Sequence, residues 1–289
     1  MNLKIAIASG KGGTGKTTVS VNLYHFIHKY WTEKIQLMDC DVEEPNDLIF
    51  FPEAKEIYRK DTAQLVPKID LDKCTFCRDC VEYCEFNAIV VIPPVEFAEV
   101  NASLCHSCGA CIHACKHDAM PEIDHKLGEI SKFELDEGLG LIQGELEIGS
   151  AMQTILIKDV KLEYDQNADI ILMDAPPGTS CPVVETVADA DFVLLVTEPT
   201  PFGLHDLKLT IELMREIEKP FAVVINKEGM GNHDLEDYLL SEKIEIMGKI
   251  PFSMEFAAAY ATGDLLRTIS SDTEIFYKDL VLKLKEKIN

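Results

Sequence analysis

Gly10-Lys11-Gly12-Gly13-Thr14-Gly15-Lys16-Thr17 satisfies the spacing G-x-x-x-x-G-K-T, with Thr18 directly after it. It follows an apolar run at residues 4–8, and from residue 16 onward Val19, Leu23, Phe26 and Ile27 recur at helical spacing. The order is therefore strand, loop, helix, the context in which such a loop cradles phosphate rather than serving as a plain glycine-rich turn. The glycines let successive backbone N–H groups turn inward around phosphate oxygens, and the helix dipole adds positive potential. In that arrangement Lys16 sits on the β and γ phosphates of a nucleotide, and the Thr17 hydroxyl coordinates Mg²⁺.

Working outward, residues 35–38 read as a second short strand, and the apolar runs at residues 169–173, 192–196 and 221–225 are continuous rather than alternating, as strands buried on both faces of a parallel sheet are. A helical repeat at residues 204–218 separates the last two and stops before Pro220. The expected fold class is α/β, a doubly wound, mostly parallel sheet. Residues 129–135 and 141–148 alternate polar and apolar side chains near Gly138, Gly140 and Gly144, which predicts a small antiparallel excursion. Asp39-Cys40-Asp41 ends the second strand, and Asp174-Ala175-Pro176-Pro177-Gly178 ends a later one. A strand-end acid there can be merely solvated; beside a phosphate loop, Asp174 is the candidate Mg²⁺-associated carboxylate.

Three features together, the additional lysine at Lys11, the acidic pair Asp39 and Asp41, and the Asp174-to-Gly178 segment, resemble the deviant Walker A ATPases. These include MinD/ParA and Mrp proteins and the nitrogenase iron protein, all with a phosphate-loop fold of the SIMIBI type. The resemblance implies a slow, partner-stimulated ATPase that closes as a nucleotide-sandwich dimer, homotypic or formed with a related chain. It implies that Lys11 reaches the phosphates of the other subunit, neutralising charge in the transition state as an arginine finger does. It makes Asp41 the candidate for orienting or deprotonating the attacking water, with Asp39 in support and Lys16 on the phosphates. Asn226-Lys227 follows a strand as in guanine-binding N-K-x-D proteins, but Gly229 stands where the guanine-reading acid belongs, so ATP is expected. Asn226 resembles the adenine-contacting asparagine of the family, and Pro251 a residue of the loop near the base.

Eight of the ten cysteines fall in Cys74-x2-Cys77-x2-Cys80-x3-Cys84 and Cys105-x2-Cys108-x2-Cys111-x3-Cys115, two copies of the bacterial ferredoxin spacing. The first three of each set can curl around one [4Fe–4S] cube while the fourth reaches the neighbouring one. The expected ligand sets are Cys74, Cys77, Cys80 and Cys115 for the first cluster, and Cys105, Cys108, Cys111 and Cys84 for the second. Zinc is the chemical alternative, and clusters that only staple a small domain the structural one. Glu85 and Lys116 replace the proline that usually follows the fourth cysteine. His106, His113 and His117 are read as surface groups or groups beside the ligands, and Phe76, Tyr83 and Phe86 as the insert's own core. The chain is thus divided into an ATPase domain at residues 1–60 and 127–289 and a ferredoxin-like α+β insert at residues 61–126. Cys40 is read as a buried filler. Cys181 is similar in placement to a cysteine that holds a subunit-bridging cluster in the nitrogenase iron protein.

Length and composition bound the rest. The 289 residues suffice for a sizeable core, and 27 basic against 50 acidic side chains give a net charge of −23, which disfavours nucleic acid and anionic membranes. With no signal-like start and no long apolar run, a cytoplasmic location is expected. The terminal helix at residues 274–288 is read as a packing helix rather than a membrane anchor. Together these features predict an ATP-hydrolysing iron–sulfur protein that couples dimer switching to electron transfer or metallocofactor assembly, with a redox or assembly protein as partner. The alternative is a MinD/ParA-like positioning ATPase whose clusters are structural or redox-sensing.

Overall fold

The structure, a computed structural model, describes residues 2–267 and 269–288. It divides into two compact units: Met1–Arg59 with Ile130–Glu145 and Ile157–Asn289, and Lys60–Glu129 with Leu146–Leu156. In chain order the first unit begins with β1 (Leu3–Ala8), α1 (Lys16–Tyr30) and β2 (Ile35–Asp39). The chain then runs through β3 (Lys55–Pro67), α2 (Asp79–Glu82), β4 (Ile89–Ile92), β5 (Phe97–Val100), α3 (Ala110–Ala114) and β6 (Glu122–Glu134). It continues with β7 (Leu141–Leu146), α4 (Gln153–Lys161), β8 (Ile170–Asp174), α5 (Cys181–Val187), β9 (Phe192–Thr197) and α6 (Pro201–Glu216). Last come β10 (Phe221–Glu228), α7 (Asp234–Ser241), β11 (Ile246–Pro251), α8 (Met254–Thr262) and α9 (Ser271–Ile288).

In the first unit the strand order is β11-β10-β9-β1-β8-β2-β7, and every registered pair among them is parallel. The sheet is mostly parallel, with β8 inserted between β1 and β2. Every residue of β2, β8 and β9 is buried, as strands covered on both faces require. Register aligns Ile7 and Asp39 with Asp174, so the carboxyl ends of β1, β2 and β8 open onto one edge, where such sheets place their ligands.

The two segments of the expected excursion form β6 and β7, which are hydrogen-bonded neighbours, and β7 in addition joins the main sheet parallel to β2, with Leu37 opposite Leu141. Helix α6 starts earlier than its apolar repeat suggests, because the Thr200 hydroxyl caps it by accepting from the Gly203 N–H, and Pro201 fits the first turn. Helix α9 packs through Tyr277, Leu280, Val281 and Leu284, all fully buried, while Ile275 faces outward. Among the described residues no helix is long and apolar enough to cross a membrane.

The second unit is held by little apolar matter. Strands β4 and β5 pair antiparallel, Ile89 opposite Val100 and Ile92 opposite Phe97. Ile89, Val91, Cys111 and Met120 form one small core, and Val66, Ala88 and Cys105 another. Phe76 packs against the first, but Tyr83 and Phe86 do not build a core: Tyr83 is 63% exposed, and Phe86, at 40%, stacks on His106 with ring centroids 3.6 Å apart. Cysteines thus occupy positions that larger side chains fill in a self-sufficient core, which marks the unit as one that needs additional tethers.

Candidate functional site

The loop from Gly10 to Gly15 links β1 to α1, with Gly13 and Gly15 in the left-handed region at φ 78° and 94°. A Cβ on Gly15 would also lie 2.1 Å from Asn226 Nδ2, so neither backbone nor space admits a side chain there. Asn226 Nδ2 donates to the Thr14 carbonyl at 2.8 Å, and Lys227 Nζ donates to the Gly13 carbonyl at 2.7 Å. The end of β10 therefore tethers the outer rim of the loop. Gly12 lies in the loop and Thr18 in the first turn of α1, and Thr14, Lys16, Thr17 and Thr18 are buried.

Beneath the loop lies a dense group of charges. Lys16 Nζ is 3.0 Å from Asp174 Oδ1, and Asp174 also accepts from the Thr17 and Ser20 hydroxyls at 2.9 and 2.7 Å. Burial opposes the Lys16 charge, but Asp174, then Asp41 and Asp39, outweigh it and raise the pKa of the ammonium. Asp39 accepts backbone N–H groups from Asp41, Asn46 and Asp47. Even so, burial, reinforced by Asp174, pushes its carboxyl up to about 7. Burial also lifts Asp41, to about 6, with Lys16 pulling the other way and Asp174, Glu44 and Glu43 adding to the rise.

Lys11 does not point to solvent. Its ammonium lies 2.7 Å from Glu198 Oε1, and Lys227 Nζ holds Glu198 Oε2 at 2.8 Å. Burial opposes the Glu198 charge, yet hydrogen bonds from the two lysines hold its carboxyl below the usual range. Asn226 and Pro251 line, with Gly13, Gly15 and Thr18, a cleft of about 220 Å³ whose apolar wall is Phe252, Phe256 and Tyr260.

In the second unit the cysteines separate into two hollows. Cys74, Cys77, Cys80 and Cys115 line one, with Phe76, Val91 and His117; Cys84, Cys105, Cys108 and Cys111 line the other, with Phe86 and His106. Each hollow is small, about 20 Å³. Backbone N–H groups of Phe76, Ala88 and Ser107 donate to the sulfurs of Cys74, Cys84 and Cys105 at 3.4–3.5 Å. Burial pushes the Cys111 thiol up to about 11, and likewise raises Cys80 and Cys105. Such thiols ionise when a metal takes the proton's place. His113 lies on α3 between Cys111 and Cys115. Cys40 is fully buried, and Cys181 is exposed at the start of α5.

Residues 5–266 match the family described as the CobQ/CobB/MinD/ParA nucleotide binding domain. The chain belongs to this family. A protein of Methanocaldococcus jannaschii, itself uncharacterised, is 34% identical over 99% of this chain and 98% of its own length. The iron–sulfur cluster carrier protein of Pyrococcus horikoshii is 24% identical over 90% of this chain and 77% of its own. Among solved structures, the septum site-determining protein MinD of Pyrococcus horikoshii, complexed with Mg-ADP, superposes with a TM-score of 0.55 at 16% identity, covering 99% of this chain and 97% of that one.

Within this MinD/ParA-type site, sequence reasoning passed over three side chains. Ser20 follows the loop motif by one helical turn, a spacing that places it on the same face as Lys16. Glu198 follows β9, the strand beside β1, so its position at the carboxyl edge was the available signal. Asp47 stands in an acidic run that reads as solvated, yet it is fully buried because Phe50, three residues on, turns into the core.

Proposed function

We propose that this protein hydrolyses ATP as a nucleotide-gated dimer and couples that cycle to electron transfer or to metallocofactor and iron–sulfur assembly. One observation carries the reading: eight cysteines sort into two sets of four, with Cys84 and Cys115 exchanged between the runs, in a chain that also holds a complete phosphate loop. Two separate zinc sites need no such exchange, whereas a two-cluster ferredoxin pattern has it. When bound, [4Fe–4S] clusters supply one-electron chemistry. Residues 61–126 would hold them, with Cys74, Cys77, Cys80 and Cys115 on one and Cys105, Cys108, Cys111 and Cys84 on the other.

On the nucleotide side, Lys16 would exchange Asp174 for the β and γ phosphates, and Thr17 and Asp174 would hold Mg²⁺, which supplies positive charge to the phosphates when bound. Gly10, Gly12, Gly13, Thr14, Gly15 and Thr18 present the cradle, and Asn226, Pro251 and the aromatic wall receive the adenine. Lys11 leaves Glu198 for the phosphates of the other subunit. Asp41, whose carboxyl titrates near neutrality, orients or deprotonates the attacking water, and Asp39 fixes its loop. The similarity to an iron–sulfur cluster carrier protein and to a MinD bound to Mg-ADP supports both halves.

Anaerobic purification followed by metal analysis tests the cluster half: about eight iron and eight sulfide per chain are expected, and zinc without sulfide overturns it. Hydrolysis by oxidised, reduced and cluster-free protein tests the coupling. Equal rates in all three states favour the second reading, a positioning ATPase with structural clusters, to which the MinD-like fold also lends support.

A further inference from the structure

Three carboxylates meet under the phosphate loop: Asp39 at the end of β2, Asp174 at the end of β8, and Asp47 on the connection that follows β2. One oxygen from each lies within 4.8 Å of the others, and all three residues are fully buried. Their partners are unequal. Asp174 accepts from Lys16, Thr17 and Ser20, and Asp39 from three backbone N–H groups. Asp47 has no hydrogen-bond partner on either carboxylate oxygen. A buried carboxyl left without a donor is expensive, which is why such groups are nearly always paired or bound to a cation.

We propose that Asp39, Asp47 and Asp174 form a divalent-cation site that fills in the absence of nucleotide. Charge supports it: Lys16 balances one of the three carboxylates, and a divalent ion balances the two that remain. Spacing supports it as well, since ligands on opposite sides of an ion with metal–oxygen distances of about 2.1–2.4 Å lie about 4.2–4.8 Å apart. An all-oxygen donor set selects hard ions, Mg²⁺, Mn²⁺ or Ca²⁺, over the softer metals that the cysteines favour. The site shares Asp174 with the Mg²⁺ assigned to Thr17 and the nucleotide phosphates, and differs from it in Asp39 and Asp47, which that assignment does not use. Its effect is mechanical: an ion at this point pins the connection carrying Asp41 to the end of β8 before ATP arrives. The inference does not rest on the clusters or on ATP hydrolysis, and its test involves neither.

The test is calorimetric titration of the full, nucleotide-free chain with Mn²⁺. A saturable site of about one ion per chain is expected. Asp47→Asn is expected to lose it, while Thr17→Ala, which removes a hydroxyl donor to Asp174 but none of the three carboxylates, keeps it. Uptake that is equal in Asp47→Asn, or that appears only with ATP, overturns the proposal. A second measurement needs no variant: Mn²⁺ is expected to raise the thermal midpoint of the unmodified nucleotide-free chain, and an unshifted midpoint also overturns it.

Discussion

Asp41→Asn is expected to stabilise the nucleotide-free protein while abolishing most of its hydrolysis. In the native chain the Asp41 carboxyl titrates at about 6, against 3.8 for the ordinary group, because burial and the acids around it outweigh Lys16. Between those two values the native state retains a proton that the unfolded chain has lost, so stability falls as pH rises through the window. A shift of about two units corresponds to roughly 3 kcal/mol, and the solvent-facing part of the carboxylate trims this to about 1–2 kcal/mol. Asparagine imitates the protonated acid and does not ionise, so the variant escapes the loss. Urea unfolding of both proteins, anaerobic and nucleotide-free, is the assay. Little difference is expected at about pH 4, a growing advantage up to about pH 6, and a constant one above it. Hydrolysis is expected to fall by about 10²–10⁴-fold if Asp41 serves as base. A stability difference that is flat across this range, or a variant less stable at about pH 8, refutes the reasoning, because the acid would then carry no strain for asparagine to relieve.

Glu198→Gln removes the carboxylate that holds Lys11 and Lys227; with a charged hydrogen bond worth about 1.5–3 kcal/mol, ATP-dependent dimerisation measured by light scattering is expected to strengthen about tenfold. An unchanged dimer affinity counts against Lys11 being held back by Glu198. Gly15→Ala forces both a disfavoured φ and a clash with Asn226, so nucleotide binding is expected to be lost with the fold intact by circular dichroism. Cys115→Ser is expected to perturb the electron-paramagnetic signal of the cluster on Cys74, Cys77 and Cys80, and Cys84→Ser the other. The reverse assignment would show that each run of four cysteines closes on itself.

How far the sequence reveals this architecture depends on where each instruction is written. Strands β8 and β9 are legible because burial on both faces leaves a continuous apolar run up to their last residue, and α1 because its loop motif defines its first turn. Strand β7 is half-legible: its alternation marks it as a strand following β6, its neighbour in the sheet, but no local pattern encodes the parallel pairing of its other edge with β2. The site divides in the same way. Lys16, Thr17 and the cysteines sit at fixed spacing, so local sequence names them. Glu198 and Asp47 act through partners 187 and 127 positions away, Lys11 and Asp174, and no local pattern encodes such a meeting.

The same meeting makes Lys16 a structural residue as well as a phosphate ligand. It is the one ammonium in contact, among the described ion pairs, with a group that includes Asp39, Asp41, Asp47 and Asp174. Buried acids that lose their counter-charge either take up protons or destabilise the fold, and breaking a buried pair by removing one partner typically costs about 3–5 kcal/mol. Lys16→Met is therefore expected to lower the stability of the nucleotide-free chain by that order at about pH 8, where the acids must ionise, and by less as pH falls and they protonate. Were Lys16 only a ligand for absent phosphate, its replacement by an apolar side chain of similar length would leave urea midpoints unchanged at every pH. That outcome would mean the carboxylates are neutralised by something other than the lysine, and it would shift the burden of balancing them to a bound cation.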